Sequence, residues 1–573
     1  MTRGAELLVE ALIQHGVDTV FGYPGDTSIA FYDALRGQSS RIRHILTRDE
    51  RHAGFMADAY TRTTRRLGVC EASSGAGAVY LASGLAEARA ASVPLLAITT
   101  DNNRRSHGTH PISEVDQDQL FAACTKWRRT AEDAAELPAL VRRAVAAAVE
   151  GRPGPAVLII PEDVLEAAVA PALAAGPPAA PARAPGPRRA APEPAVRQAA
   201  ARLGAAQRPV LVAGGGAQLS AAGPELTRLA ERLALPVATT IHGKGAIDEA
   251  HPLALGVVGG NGAREYANTW VAASDLVLFV GTRANATDTL GFTVPPRDTA
   301  VLHLDTDAAR AGRNYPGALP LVGDARATLA ALDAAVPGAP PDKYARRAAE
   351  LAAARAAWSA TEGPPAALPD GVLPPRELVR ALAAAFGRDT WVVADAGTPT
   401  PYLACYWSAP GDGWRVVIPR GHGPMGYAVP ASVGIAAGHP GARVLCLTTE
   451  NSVAMSVGEW ETAYRLGLPI TYVVLDNTSM AWIKMIQHLY AGGRYFAVDP
   501  GPLDPVRLGL GTGIAGARAH TLDQFATLAE EAAARRDGPS LIHALVPEHH
   551  AVPPPVPVWQ AALSGESTTR PIH

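Results

Sequence analysis

The feature that most restricts what this chain can fold into is a local grammar repeated along its length. A short apolar run breaks into a turn of glycine or small polar residues, a helical pattern follows, and another apolar run begins. "GVCEASSGAGAVYLASGLAEARAASVPLLAITT" shows the whole cycle once. Strand and helix alternating in this way signal a parallel sheet with helices on both faces. The cycle recurs in three blocks. The first includes "DTVFGYPG", "RIRHILT" and "GPAVLIIPEDVL". The second runs through "PVLVAGGGAQL", "LPVATTIHGKGAI", "SDLVLFVGTRAN" and "AVLHLDTD". The third uses "TWVVADAG", "WRVVIPRG", "ARVLCLTT", "ITYVVLDN" and "SLIHALVP".

Stretches too rich in Pro and Ala to pack a core separate the blocks. The boundaries expected are a first domain at 1–170, a linker at 171–194, a central domain at 195–335, a linker with a helix at 336–372, a third domain at 373–550 and a proline-rich tail at 551–573. At 573 residues the chain exceeds what one core serves. The fold class expected is therefore α/β, with three consecutive doubly wound parallel-sheet domains.

A net charge of −3 provides no basic field for a polyanion, which argues against nucleic acid as the main partner. There is no run of some eighteen apolar residues and no leader-like opening, so no membrane partner and a cytoplasmic location are expected. Cys70, Cys124, Cys405 and Cys446 lie far apart without a CxxC pair, which indicates neither a disulfide framework nor a zinc knuckle.

The sharpest spacing lies in the third block. Glu450 follows one strand end, and Asn477 follows the next, 27 residues on. In a parallel sheet both strand ends reach the carboxyl edge, where such sheets bind ligands. A Glu450 carboxylate, the Asn477 amide oxygen and the Ser479 carbonyl make three hard oxygen donors, a set suited to Mg²⁺. "VVADAGTPTP" ends a strand at Gly397 and offers backbone N–H groups and the Thr398 hydroxyl to an anion.

Together with "TRDERHAGFMADAYTR", "SSGAGAVYLASGLAEARAASVPLLAIT" and "GHGPMGYAVPASVGIA", the Glu450 to Asn477 pair makes the chain resemble the thiamine-diphosphate-dependent 2-oxoacid enzymes, most closely the acetolactate synthase group. The resemblance runs from Gly4 to about Val546. It implies a pyrimidine-binding, a central Rossmann-like and a diphosphate-binding domain. It also implies thiamine diphosphate and Mg²⁺ as cofactors, and a homodimer or homotetramer with active sites at the subunit interface. Glu50 is then the catalytic residue, hydrogen-bonded to N1′ of the aminopyrimidine, where a burial-raised pKa would help it hold a proton. The Gly423 carbonyl meets the 4′-amino group and Met425 wedges between the two rings. Gly397, Thr398, Thr449, Asn451 and Ser452 face the diphosphate, Ile483 lies near C2, and Glu450, Asn477 and Ser479 hold the metal.

Three departures from the family pattern narrow the expectation. The usual Gly-Asp-Gly of the metal loop is Thr449-Glu450-Asn451, with a carboxylate on a longer stem and both glycines gone. Where acetolactate synthases carry a tryptophan that selects the acceptor, this chain has Ile486, preceded by Trp482 and Lys484. Ser113 stands where glutamine is common, with His110 nearby. His110, Ser113, Trp482 and Lys484 are the candidate substrate-pocket residues, Lys484 as a counter-charge for an anionic substrate. In the central domain "GTRANATD" keeps Arg283 but lacks the acidic pair of FAD-binding relatives, so FAD is not favoured. The activity expected is decarboxylation of a small 2-oxoacid, pyruvate foremost, with transfer of the acyl unit to a carbonyl acceptor outside housekeeping branched-chain amino-acid synthesis. The alternatives are a decarboxylase or acyltransferase without carboligation, and a non-catalytic cofactor-binding homologue.

Overall fold

The structure, a computed structural model, describes residues 2–170, 182–364 and 367–565. Residues 171–181 of the Pro/Ala-rich linker expected at 171–194 thus lie outside the described residues.

Three six-stranded sheets carry the fold, each parallel throughout. The first runs, in spatial order, Arg43–Leu46, Thr19–Tyr23, Gly68–Ala72, Leu95–Asp101, Ala156–Pro161 and Trp127–Thr130. The third runs Val416–Val417, Trp391–Ala394, Val444–Thr448, Ile470–Asp476, Ser540–Leu545 and Gly516–Ala519. Numbered within their own blocks, both follow the order 2-1-3-4-6-5. The central sheet, Ala254–Val257, Val237–Thr239, Pro209–Ala213, Leu276–Val280, Ala300–Asp305 and Leu319–Val322, follows 3-2-1-4-5-6, the order of dinucleotide-binding folds. The inner strands are largely apolar and almost wholly buried, as strands covered on both faces must be.

By internal packing the chain divides into two compact units. One comprises Met1–Pro187, Pro419–Gly441 and Ser456–Leu468; the other comprises Arg188–Ile418, Ala442–Met455 and Pro469–His573. The first unit is built around its sheet and helix Glu50–Thr64, nearly all of which is buried. Two glycines let that helix cross Ala76–Ala91 closely, since a Cβ on Gly54 would stand 2.9 Å from the Gly84 Cα. Helix Ala428–Gly438 packs on it as tightly: a Cβ on Gly434 would stand 2.1 Å from the Met56 carbonyl oxygen.

In the second unit the three glycines of "GGGAQ" are each closed in by protein. A Cβ on Gly214 or Gly216 would strike Gly281, and one on Gly215 would meet His242. This turn answers to internal packing. The stretch expected as a tail forms helix Pro557–Leu563, whose Trp559 is buried with Met485 and Val556.

Candidate functional site

In the first unit, strand Arg43–Leu46 turns through Thr47–Asp49 into the helix that begins at Glu50. Asp49 caps it, its carboxylate accepting the Arg51 backbone N–H at 2.8 Å. The turn is pinned by Glu459, which sequence reading did not single out. Its Oε1 accepts the Arg48 backbone N–H at 2.8 Å and lies 2.9 Å from His52 Nδ1, while Oε2 accepts the Thr462 hydroxyl at 2.7 Å. Burial above all, with the charge of Asp49 adding to it, raises the Glu50 carboxyl above its ordinary range, against a smaller downward pull from backbone hydrogen bonding. A Cβ on Gly77 would stand 2.9 Å from Glu50 Oε1, so the glycine turn "SSGAGA" makes room for this carboxyl. Ser113 closes on the same turn: a Cβ on Gly75 would stand 2.4 Å from the Ser113 Cβ. Ser113 and His110 both hold positive φ, and His110 is exposed.

The "GHGPMGY" segment also belongs to the first unit, and a buried acid fixes it. Glu87 accepts backbone N–H groups from Gly421 at 3.1 Å, His422 at 2.6 Å and Gly423 at 3.1 Å. Its charge is balanced by Arg62, 2.9 Å away, which also binds Asp58 at 2.7 Å; Asp58 in turn accepts the Tyr427 hydroxyl. Glu87, Arg62 and Asp58 are all fully buried. The network holds Gly423 from its N–H side. Gly423 has φ of +78°, and a Cβ there would meet nothing within 4 Å, so the loop presents an open face. Met425 is half-buried. Glu71, buried on strand Gly68–Ala72, accepts the Tyr32 hydroxyl at 2.6 Å, and burial pushes its carboxyl up to about 8.

In the second unit the candidate residues gather where strands Trp391–Ala394 and Val444–Thr448 lie side by side and the chain departs in opposite directions. Such a switch point opens a crevice at the carboxyl edge. Gly397 holds φ of +95° with nothing within 4 Å of an added Cβ. Thr398 is buried, and its Oγ1 accepts the Asn477 amide N–H at 3.1 Å and meets His549 Nε2 at 3.0 Å. Sequence reading had no signal for His549, which stands beside His550 far along the chain. Burial drives its imidazole down to about 3.

Helix Glu450–Ser456 starts directly from strand Val444–Thr448. Thr449 serves as its cap, accepting the Ser452 backbone N–H at 3.3 Å. Glu450 is buried, and burial followed by the charge of Asp476 pushes its carboxyl up to about 8. The Asn451 side-chain Nδ2 donates both to Glu450 Oε1 at 2.8 Å and to the Ser479 carbonyl at 3.0 Å. Asn477 Oδ1 accepts the Ser479 backbone N–H at 3.3 Å.

Helix Ala481–Tyr490 then places the remaining candidates. Ile483 is 42% exposed in its first turn. Trp482 packs on Trp559, with ring centroids 4.3 Å apart, and on His549. Ile486 packs into the same cluster under the C-terminal helix. Lys484 is held by Asp499 at 2.7 Å and Glu548 at 2.8 Å, so this helix presents a neutralised ion pair where a counter-charge for substrate was expected.

Comparison with known proteins agrees with this arrangement along the chain. Residues 2–120 match the family model described as "Thiamine pyrophosphate enzyme, N-terminal TPP binding domain", residues 196–332 its central domain and residues 395–544 its C-terminal TPP binding domain. The chain belongs to the thiamine pyrophosphate enzyme family. It is 32% identical over 569 residues to the acetolactate synthase isozyme 1 large subunit of Escherichia coli, covering 97% of this chain and 96% of that one. It is 31% identical over 571 residues to a probable acetolactate synthase large subunit of Methanocaldococcus jannaschii, covering 96% and 93%. It is also 37% identical over 491 residues to a probable 2-ketoarginine decarboxylase of Pseudomonas aeruginosa, covering 84% and 83%. The protein is a thiamine-diphosphate-dependent enzyme of the acetolactate synthase-like group. Among the described residues no helix is long and apolar enough to cross a membrane.

The residues present fit the organic cofactor. Two positive-φ glycines, Gly397 and Gly423, face open space at their respective loops, and Glu50 has the raised carboxyl that proton exchange with a ring nitrogen requires. The metal fits less well. The oxygen donors are of the right type, but the position between Glu450 Oε1 and the Ser479 carbonyl is taken by the Asn451 amide.

Proposed function

We propose that this enzyme decarboxylates a small 2-oxoacid, with pyruvate the first to test, and transfers the acyl unit to the carbonyl of an acceptor. The observation that carries the reading is Glu50, set at the start of a buried helix, braced through His52 and Arg48 by Glu459, and raised in pKa by burial. Thiamine diphosphate, when bound, supplies the electron sink for loss of carbon dioxide. Glu50 holds and returns the proton at the aminopyrimidine N1′. The Gly423 carbonyl, on a loop fixed from its N–H side by Glu87, would accept from the exocyclic amine, and Met425 would pack against the cofactor rings. Gly397 N–H and the Thr398 hydroxyl hold diphosphate oxygens, with Thr449 and Ser452 at the facing loop. His110 and Ser113 would border the substrate side, Ile483 would face the thiazolium ring, and the working unit is a homodimer or homotetramer.

Replacing Glu50 with Gln tests the reading. The neutral amide keeps the shape and loses proton exchange, so turnover falls by about two to four orders of magnitude with cofactor still bound. A variant that keeps wild-type turnover defeats the assignment.

Decarboxylation without carboligation is the second reading, favoured by the 37% identity to a probable 2-ketoarginine decarboxylase. Incubation with pyruvate and with longer 2-oxoacids, each with and without carbonyl acceptors, separates the two by mass spectrometry. An aldehyde as sole product means decarboxylase, and a product extended by the acyl unit means carboligase.

A further inference from the structure

Asn451 stands where the family's metal loop has its second glycine, and its side chain does something a glycine cannot. Nδ2 lies 2.8 Å from Glu450 Oε1 and 3.0 Å from the Ser479 carbonyl oxygen. The orientation of the amide follows from its partners. A backbone carbonyl only accepts, so the NH₂ end must face it, and its second hydrogen then reaches the neighbouring carboxyl oxygen. These two oxygens belong to two of the three residues, Glu450, Asn477 and Ser479, that the sequence reading assigns to a divalent cation. A single nitrogen within hydrogen-bond reach of both occupies the position from which an ion would bind both.

We propose that the Asn451 carboxamide is a built-in occupant of the cation position, so that a divalent ion binds this loop only by displacing it. The proposal rests on the reading of this loop as the cofactor's diphosphate end. The loop supports the occupant in other ways. Asn451 lies in the first turn of helix Glu450–Ser456, which Thr449 caps, so its backbone is fixed and its amide need not be recruited from a mobile segment. Glu450 and Ser479 are buried, so releasing the amide leaves two acceptors away from water until an ion arrives. With the amide in place, Glu450 Oε2 is left outside the two hydrogen bonds that the amide makes. An ion at this loop would find Glu450 Oε1 and the Ser479 carbonyl already engaged, so two of the three expected donor residues meet the amide first. Losing a ligand or its orientation commonly weakens metal binding by about 10–100-fold.

Two measurements test this on the full-length enzyme. In the first, thiamine diphosphate is titrated into metal-stripped wild-type protein by calorimetry, once with EDTA and once with millimolar Mg²⁺. The expected dissociation constants agree within about threefold, because the amide already holds the loop closed. In the second, Mn²⁺ binding is followed by electron paramagnetic resonance, with thiamine diphosphate present, for wild type, Asn451→Gly and Asn451→Ala. Both variants are expected to bind Mn²⁺ at least about tenfold more tightly than wild type. Cofactor binding that requires Mg²⁺, or wild-type Mn²⁺ affinity equal to that of the variants, overturns the proposal and leaves the functional reading intact. Absence of cofactor binding in both arms overturns the functional reading and the proposal together. Should neither variant fold, the wild-type comparison decides alone.

Discussion

Glu87 shows how much a single buried acid can fix. Its two oxygens accept three consecutive backbone N–H groups and one guanidinium, and every one of these partners is a donor. Glu87→Gln keeps the volume but must turn an NH₂ group toward donors whichever way the amide is flipped. The same change leaves Arg62 with one carboxylate, Asp58, in a fully buried pocket. Breaking such a pair costs about 3 kcal/mol or more. The expected result is a lowered unfolding midpoint by denaturant titration, with thiamine diphosphate affinity falling because the Gly423 loop loses its anchor. A variant with wild-type stability and wild-type cofactor affinity would refute the anchoring role. Gly77 makes the complementary test. Gly77→Ala puts a methyl 2.9 Å from Glu50 Oε1, and turnover should fall with little change in the midpoint, checked by steady-state kinetics beside a melting curve.

At the scale of elements, the first unit depends on helices that approach at glycines. Gly434→Ala drives a Cβ into the Met56 carbonyl, backbone that cannot step aside alone, so helix Ala428–Gly438 must shift from helix Glu50–Thr64. A cost of about 1–3 kcal/mol is expected. Gly37→Ala, where a Cβ meets nothing within 4 Å, should be neutral or slightly stabilising. Thermal melting of the pair checks this, and equal midpoints would argue against the packing account. Legibility from sequence was also uneven by element. All three sheets were readable from their inner strands, which are mostly runs of apolar residues. Four strands went unread: Trp127–Thr130, Ala254–Val257, Leu319–Val322 and Gly516–Ala519. Each lies at a sheet edge. An edge strand has one neighbour, and in three of these four the residues alternate or are partly exposed, so they lack the apolar run that marks an inner strand. The carboxyl-edge loops of the site were legible because glycine and acid spacing is local. Glu87, Glu459 and His549 were not, because what matters in them is a partner distant in sequence. The C-terminal helix with Trp559 was hidden by its prolines.

At the scale of the whole molecule, each compact unit holds a buried carboxyl pushed up to about 8 and an imidazole, half-buried in the first unit and buried in the second, pushed down. Glu71 and His44 lie in the first unit, Glu450 and His549 in the second. The signs oppose. His44 and His549 have native values of about 4 and about 3, against 6.5 ordinarily. The unfolded chain therefore binds more protons than the native one as pH falls below 6.5, and stability drops toward acid. Glu71 and Glu450 both stand at about 8 against 4.5, so above 4.5 the unfolded chain has released protons the native chain keeps. Their contribution is complete below 4.5 and is lost as pH rises to 8. Between 4.5 and 6.5 the two effects offset. Between 6.5 and 8 only the carboxyls still act, so the metal-free, cofactor-free enzyme should lose stability there by about 1 kcal/mol per pH unit for each group. Melting curves at pH 6.5 and 8.5 measure the loss. Glu71→Gln keeps a neutral partner for Tyr32 and has no proton to lose, so its midpoint should fall less over that interval than wild type, by roughly half if the two groups contribute alike. A variant whose midpoint falls as steeply as wild type would show that Glu71 is already ionised in the native fold.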